Sequence, residues 1–428
     1  MTWDNFSPLC NAAYLTPDNF IETFKEFKPD FLFCEATWRG IEEFKNCWRT
    51  KVYKNRNLYF ENRQALLQII KYCNENNIKT VFWNKEDPYF INENRNNFFD
   101  TALLFDYIFT TAEECIPYYK NEGKNKVFFL PFSFAPWIFN PLNRAKKNNN
   151  AIFTGSWYNF AEERIDDTCK LFDYLLDNGY NLKIYDRNKK RNKDKSNFPK
   201  KYSQYIESAV PYSKTGELYR ANDIAVNINT IKYSESMFAR RVFEIMACAT
   251  GIISNESKAM RMTFGNNVAF IDDKNIIIPN KESIRSNLKK VFKKYTVNEQ
   301  FDFLCNTVLG KTESSNRIFV FCYSNIEPKF DKNRIIFQKI DSSNQLLENI
   351  KDIDFKLSDY AILVDNSNVD FEFLASQFLF IPQNVGVKET NDEHYYIIKS
   401  KDINNVLFKA DNFKQIVLNT DEFDVYLA

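Results

Sequence analysis

Two arginines and a glutamate lie close together in residues 238–249, FARRVFEIMACA, which have the apolar spacing of a helix. Arg240 and Arg241 belong to its predicted first turn, where cations oppose the helix dipole and are unfavourable unless an anion binds there. Glu244 follows three or four positions later and could accept hydrogen bonds from both ribose hydroxyls of a nucleotide. On spacing alone, a solvated Arg/Glu pair one helical turn apart is the favoured interpretation.

A second candidate is the small turn after the strand-like run 151–157, AIFTGSW. Gly155 and Ser156 would let a phosphate or sugar approach the backbone closely, because glycine carries no side chain. Arg164 could reach the same place from the helix-like stretch that follows. An ordinary strand-to-helix turn explains this pattern equally well.

These residues are placed by a regular alternation of elements. Short apolar runs alternate with amphipathic stretches over residues 1–140 and again over 150–314. That alternation is typical of parallel sheets with helices on both faces. Ligands bind such sheets outside the carboxyl ends of the strands, which adds Asn229, at the end of the run DIAVNIN, to the candidates. Residues 315–428 differ in character and predict a third, smaller α/β unit.

The bulk properties exclude several classes of protein. There are 57 Lys and Arg against 56 Asp and Glu, so the net charge of +1 favours neither nucleic acid nor an acidic membrane as partner. The nine cysteines occur singly and without a CxxC pair, which is typical of reduced thiols. No N-terminal targeting signal and no apolar run near the ~18 residues of a membrane span are present. We therefore predict a cytoplasmic protein.

Several strings together resemble the CgeB/group-1-like glycosyltransferases, a GT-B family of bacterial surface-polysaccharide type. The resemblance covers roughly residues 1–290 and is carried by FLFCEATWRG, TVFWNKEDP, LPFSFAPWIFNP, FTGSWYNFAEER, VNINTIKYSESM and FARRVFEIMACATGIISN. It implies two facing Rossmann-like domains, an acceptor domain (1–140) and a nucleotide-sugar domain (150–314). It also implies transfer of a sugar from a nucleotide diphosphate to a hydroxyl acceptor, in capsule or surface-glycan synthesis.

The resemblance assigns a role to the second-domain motif. The glutamate matching Glu244 holds the donor ribose in that family, and the basic residue before it faces the diphosphate. The donor-binding residues expected here are Gly155, Ser156, Arg164, Asn229, Arg240, Arg241 and Glu244. Related retaining enzymes carry an acid seven positions before the ribose glutamate, where this chain has Met237. The stereochemical outcome is therefore left open.

The first-domain string WNKEDP, residues 83–88, places two carboxylates after a predicted strand. An inverting transferase needs a general base for the acceptor hydroxyl, and Glu86 and Asp87 are the first candidates, with Glu35 after the preceding strand as the next. His394, the only histidine, falls in the third unit, which argues against imidazole catalysis. The structural alternative is that Asp87 caps a turn and Lys85 pairs with a neighbour.

No metal or cofactor is expected. Zinc-type spacing is missing from the sequence, and so is the paired-carboxylate motif that a metal-dependent GT-A transferase needs. The third unit resembles a shortened GT-A domain whose turn reads Asp365-Asn366-Ser367-Asn368, with too little charge to hold a divalent ion well. The nucleotide diphosphate sugar would be a substrate, and the enzyme metal-independent.

The partners follow from the resemblance. The acceptor would be a glycan, a lipid-linked molecule or a protein hydroxyl. The resemblance is compatible with peripheral association with membrane assembly machinery. It is also compatible with assembly of the chain into a homo-oligomer. The rival hypothesis is a non-catalytic carbohydrate-handling or scaffolding subunit that retains the GT-B fold, and a nucleotide-sugar epimerase of similar fold is less favoured.

Overall fold

The computed structural model describes most of the 428 residues. The described ranges are 2–91, 93–146, 148–158, 162–189, 197–310, 318–323, 335–356, 358–365, 369–390, 395–419 and 422–428. His394 and Asn366-Ser367-Asn368, which entered the interpretation of the third unit, lie outside these ranges.

The first domain is built on a four-stranded parallel sheet. Its strands, in the spatial order β1-β2-β3-β4, are β1 (Phe31–Glu35), β2 (Lys79–Asn84), β3 (Tyr107–Thr110) and β4 (Val127–Phe129). Its helices are α1 (Thr2–Phe6), α2 (Phe20–Phe27), α3 (Gln64–Glu75), α4 (Phe99–Ala102) and α5 (Ile116–Asn121). Helix α2 ends because Lys28 adopts the left-handed conformation, one residue before Pro29.

The second domain is a six-stranded parallel sheet with the spatial order β10-β9-β8-β5-β6-β7. Its strands are β5 (Asn150–Gly155), β6 (Asn181–Asp186), β7 (Ile206–Ser208), β8 (Ile224–Asn227), β9 (Gly251–Ser254) and β10 (Ala269–Phe270). Its helices are α6 (Glu162–Asp177), α7 (Thr215–Arg220), α8 (Arg241–Ala247), α9 (Lys258–Phe264), α10 (Lys281–Lys294) and α11 (Val297–Leu309). Counted within the domain, the strand order is 3-2-1-4-5-6 read from the other edge, which is the Rossmann order. The predicted α/β class with parallel Rossmann-like sheets is therefore confirmed.

Helix α11 follows the second sheet in sequence but packs against the first. Val297, Leu304 and Val308 join an apolar cluster with Val81 and Trp83 of β2. The Lys79 side chain also donates a hydrogen bond of 2.7 Å to the Val308 carbonyl. The last helix of the second domain thus fixes the position of the first.

The third unit carries a mixed seven-stranded sheet in the order β12-β11-β13-β16-β14-β17-β15. Its strands are β11 (Ile318–Tyr323), β12 (Ile335–Ile340), β13 (Tyr360–Val364), β14 (Gly386–Lys388), β15 (Ile397–Ser400), β16 (Val406–Lys409) and β17 (Phe423–Leu427). Its helices are α12 (Ser343–Asp352), α13 (Phe371–Gln377) and α14 (Ala410–Asn419). It shares a continuous apolar core with the second domain, in which Phe292 of α10 meets Phe373 of α13.

Two general expectations can be compared with this structure. All nine cysteines lie in described parts of the chain and are free thiols. Within the described ranges, no helix combines the length and the apolarity needed to cross a membrane.

Candidate functional site

The second sheet has a crevice where its strand order reverses. β5 and β8 are neighbours, and the chain then proceeds from β5 to one edge and from β8 to the other. Ligands of open α/β sheets bind outside the carboxyl ends of the two strands at such a switch point. Gly155 ends β5, and the loop that leads from β8 to Arg241 leaves at the same edge.

Gly155 and Arg241 meet at this edge. A Cβ atom placed on Gly155 would lie 3.3 Å from Arg241 Nη1 and 2.6 Å from the Phe153 ring. Any side chain at this position would force the buried Phe153 ring to shift, which favours glycine. The Arg241 guanidinium stacks over the same ring, with its central carbon 5.3 Å from the centroid. Two candidate residues that are 86 positions apart are thus adjacent in space.

Three hydrogen-bonding atoms near the two strands are buried and unpaired. Arg240 Nη1, Arg241 Nη1 and Ser156 Oγ have no hydrogen-bond partner among the described residues. The Arg240 guanidinium lies 5.0 Å over the Phe132 ring, which holds it without neutralising it. A buried donor that stays unpaired costs about 1–3 kcal/mol, and more when it is charged. Such donors are suited to an anionic ligand that enters from outside.

Arg164 reaches inward, as predicted, but its described contacts are with the protein. Its Nη1 donates to the Ile228 carbonyl at 2.9 Å and to Thr230 Oγ1 at 3.2 Å, in the loop after β8. Burial, and to a smaller extent the nearby charge of Arg241, lower the pKa of Arg164 to about 10. Arg164 therefore positions the loop and adds positive charge to the crevice.

Asn229 is the donor-site prediction that the geometry favours least. Its side chain is buried: Oδ1 accepts from Ala239 N at 3.1 Å, and Nδ2 donates to Ser254 Oγ at 3.3 Å. Its backbone N–H donates to Asn255 Oδ1. The expectation of a ligand-facing amide is therefore corrected, because these bonds use Asn229 to fix the path of the loop before α8.

Glu244 lies in the same cluster and is only 5% exposed. Tyr212, in a short 3-10 turn after β7, donates its hydroxyl to Glu244 Oε1 at 2.9 Å. Burial raises the pKa of Glu244, although the charges of Arg240 and Arg241 and the Tyr212 hydroxyl act to lower it. Tyr212 was not identified from the sequence, since a single tyrosine in a polar turn carries no distinguishing pattern.

The loop between β8 and α8 also contacts the first domain. Ser236 Oγ donates to Glu114 Oε2 at 2.6 Å and accepts from the Glu113 backbone N–H at 2.7 Å, and Ser234 Oγ donates to Glu114 Oε1. Met237 packs against the apolar core of the first domain. The position seven residues before Glu244 is therefore an interdomain contact.

Carboxylates gather at the facing edge of the first sheet. Lys85 contacts Glu35 Oε2 as an ion pair and donates to Thr2 Oγ1 at 3.2 Å. The pKa of Glu35 lies below its usual value, because burial acts to raise it but Lys85, Thr2 and Arg240 together outweigh burial. Arg240, near the second sheet, therefore lies close enough for its charge to act on Glu35.

Glu86 stands next to this pair in a different environment. Trp38 Nε1 donates to Glu86 Oε1 at 3.1 Å. Burial raises the pKa of Glu86; Lys85 and Trp38 act to lower it, and the charge of Glu35 raises it further. A carboxylate whose pKa is raised towards neutral pH is the better proton acceptor. Of the predicted carboxylates, the structure brings together Glu86 and Glu35.

Asp87 points away from the cleft, which corrects the expectation that it faces a substrate. It is 0% exposed, and its carboxylate accepts from Asn84 at 2.8 Å and from Thr110 and Tyr119 at 2.7 Å each. Burial raises the pKa of Asp87 to about 7. β2 ends at Asn84, and in the turn that follows the Asp87 side chain enters the core and serves as a buried acceptor.

A metal centre is not assembled by the described side chains: none of them form a group of three or more His, Cys, Asp or Glu suited to an ion. In the third unit Asp365 Oδ1 accepts from the Asn405 side-chain amide.

Residues 169–295 match the family model described as "Glycosyl transferase-like". This segment begins within α6, ends one residue after α10, and contains Arg240, Arg241 and Glu244. No curated protein matches the sequence.

Three solved structures share a partial likeness with the chain. Sucrose-phosphate synthase from Thermosynechococcus elongatus is 9% identical, with a TM-score of 0.42, over 69% of this chain and 77% of that one. An alpha-glucosyltransferase in complex with UDP and DNA is 11% identical, with a TM-score of 0.42, over 68% of this chain and 80% of that one. UDP-GlcNAc 2-epimerase from Methanocaldococcus jannaschii is 13% identical, with a TM-score of 0.38, over 69% of this chain and 81% of that one. These values are too low to transfer an activity.

Proposed function

We propose that this protein is a glycosyltransferase that moves a sugar from a nucleotide diphosphate to a hydroxyl acceptor. The observation that carries the proposal is the set of buried, unpaired donors on Arg240, Arg241 and Ser156, at the switch point of a Rossmann sheet and beside Glu244. The match of residues 169–295 to a glycosyl transferase-like family supports the same conclusion.

The donor diphosphate would lie against Gly155, Ser156, Arg240 and Arg241. Charge-assisted hydrogen bonds to phosphate would satisfy the unpaired guanidinium N–H groups, and the bare glycine would allow the phosphate close to the backbone. The Glu244 carboxylate would accept hydrogen bonds from the ribose hydroxyls, while Tyr212 holds its other face.

The acceptor would approach from the first domain. In an inverting reaction, the acceptor oxygen bonds to the anomeric carbon while the bond from that carbon to the diphosphate breaks. The nucleoside diphosphate leaves with the electron pair, and the hydroxyl proton passes to Glu86. Its raised pKa favours Glu86 over the ion-paired Glu35 for this step.

Arginine would neutralise the leaving diphosphate in place of a metal ion, so we expect transfer to persist in EDTA. Abolition of transfer by EDTA and its return with Mn²⁺ would contradict this part of the proposal. From the resemblance of residues 1–290 to the CgeB/group-1-like family, we further propose a role in bacterial capsule or surface-glycan synthesis.

A thermal-stability screen of nucleotide-sugars tests the function directly. A ligand at 100 times its dissociation constant should stabilise the protein by about 2.7 kcal/mol. The hit is then incubated with acceptor alcohols and the released nucleoside diphosphate is measured. Binding without release across all acceptors would favour the non-catalytic carbohydrate-handling subunit, and stabilisation by no nucleotide would reject both.

A further inference from the structure

The first domain contains a cavity of about 510 Å³ beside β1, the edge strand of its sheet. Its walls come from chain segments that are distant in sequence, namely α1 and the residues after it, α2, β1 and α11. The volume is within the range of roughly 300–1,000 Å³ that small-molecule sites occupy. None of the donor-site residues line this cavity.

The wall is largely aromatic and aliphatic. Phe6, Phe24 and Trp48 are buried side chains of the wall, whereas Phe27, Phe31 and Phe33 are only half-buried. The half-buried rings leave apolar surface that a ligand could cover. Lys28 and Asp30 are exposed at one side and oppose each other in charge, so this region selects neither an anion nor a cation.

The cavity is continuous with the carboxylate cluster. Glu35 lines the cavity and forms the ion pair with Lys85. It is also close enough to Glu86 for its charge to raise the pKa of that group, and the charge of Arg240 lowers the pKa of Glu35 itself. A molecule whose apolar part fills the cavity would therefore present its polar end to the groups assigned to proton removal.

We propose that this cavity binds the aliphatic chain of the acceptor, and that the acceptor is a lipid-type alcohol or lipid-linked molecule whose hydroxyl lies at Glu35 and Glu86. This inference rests on the proposed function for its chemistry, but chain binding is separable from nucleotide binding. The aromatic wall excludes a purely hydrophilic glycan from the cavity itself, since burying its hydroxyls there would leave them unpaired.

The test uses unbranched alkan-1-ols from hexanol to dodecanol, titrated calorimetrically into the full-length protein. Each methylene that enters an apolar site contributes about 0.8 kcal/mol, so affinity should rise about fourfold per carbon until the cavity is full. Ala13 lines the cavity, and Ala13→Trp should remove this binding by filling it. Ala145 is exposed and lies outside the lining, so Ala145→Trp is the matched control and should bind as the wild type does.

The nucleotide is titrated into the same variants so that the two hypotheses fail separately. Nucleotide binding that persists in Ala13→Trp while alkanol binding is lost supports the inference. Alkanols that do not bind, or that bind Ala13→Trp and the wild type equally, overturn it even if nucleotide binds. If Ala13→Trp does not fold, Asn11→Trp, at an exposed lining position, replaces it.

Discussion

The facing edges of the two parallel sheets differ in how their charges are satisfied. At the second sheet, Arg240 and Arg241 are partly buried with an unpaired nitrogen each, and Arg241 also opposes Arg164. At the first sheet, Glu35 has Lys85 as a partner and Glu86 has Trp38. A buried guanidinium nitrogen without a hydrogen-bond partner is available to an anionic ligand, whereas carboxylates beside Lys85 and Trp38 are placed to exchange a proton. The first arrangement suits the proposed donor site and the second suits the proposed acid–base site.

Glu86 and Asp87 test the acid–base side of this comparison with the largest expected effect. Glu86→Gln removes the proposed proton acceptor, so turnover should fall about 10²- to 10⁴-fold while nucleotide affinity stays the same. Asp87→Asn is the matched control and should keep turnover in the folded protein. Steady-state kinetics and nucleotide titration on both variants measure this. Equal turnover in Glu86→Gln and the wild type would place the base elsewhere, first at Glu35.

The same assignment predicts the acid side of the pH profile. Glu86 must be deprotonated to accept a proton, and its pKa is raised by burial. The rate should therefore fall, as pH is lowered, at a midpoint above the ordinary glutamate value of about 4.3. A profile of kcat/KM against pH that stays flat down to this value would contradict the assignment.

Arg241→Gln tests the binding side. Loss of charge-assisted hydrogen bonds to a diphosphate should weaken nucleotide binding about 10- to 100-fold. Arg241 repels Arg164 but its charge favours the buried Glu244 carboxylate, so these effects oppose each other and the free energy of unfolding of the ligand-free protein should change little. Arg261→Gln is the control: that side chain is bonded to Glu256 and Asp273, so its loss should lower stability and leave nucleotide affinity unchanged. The reverse pattern would show that Arg241 is structural.

Glu244→Gln sharpens the comparison within the binding side. If the donor nucleotide is UDP, a carboxylate bound to the ribose hydroxyls should favour UDP over 2′-deoxy-UDP by about tenfold. The variant should lose that preference. Affinity for inorganic pyrophosphate should stay constant, because the arginines are retained. A preference for the ribonucleotide that survives in Glu244→Gln would remove the glutamate from the ribose site.

Asp87→Asn should have the smallest effect on activity, and its main effect should be on the free energy of unfolding. Its pKa is about 7 in the fold and about 3.9 when unfolded. Between these pH values the folded protein keeps a proton that the unfolded chain releases, so this group lowers the free energy of unfolding as pH rises. Urea denaturation should show Asp87→Asn destabilised by about 1–3 kcal/mol at pH 5 and by less at pH 8. An equal difference at both pH values would mean that Asp87 is ionised in the fold.

The sequence by itself determined the alternation of strands and helices, and therefore the parallel sheets and the sheet edge where we propose that a ligand binds. That information is local, since strand and helix periodicities are set by neighbouring residues. It also located Arg240, Arg241 and Glu244, which lie within five positions of one another. The run DIAVNIN, residues 223–229, extends beyond β8 by one residue at its start and two at its end.

Only the tertiary structure decided the direction and pairing of each side chain. Glu86 and Asp87 are adjacent and chemically alike, yet the turn after β2 leaves one partly exposed beside Trp38 and places the other in a buried network. The role of Asn229 in holding the loop before α8 depends on its bond to Ala239, which is a tertiary contact. The same is true of the hydrogen bond from Tyr212 to Glu244. The cavity beside β1 is enclosed by Phe6 and Phe301, nearly three hundred positions apart. Such contacts depend on how distant segments pack, which periodicity along the chain does not encode.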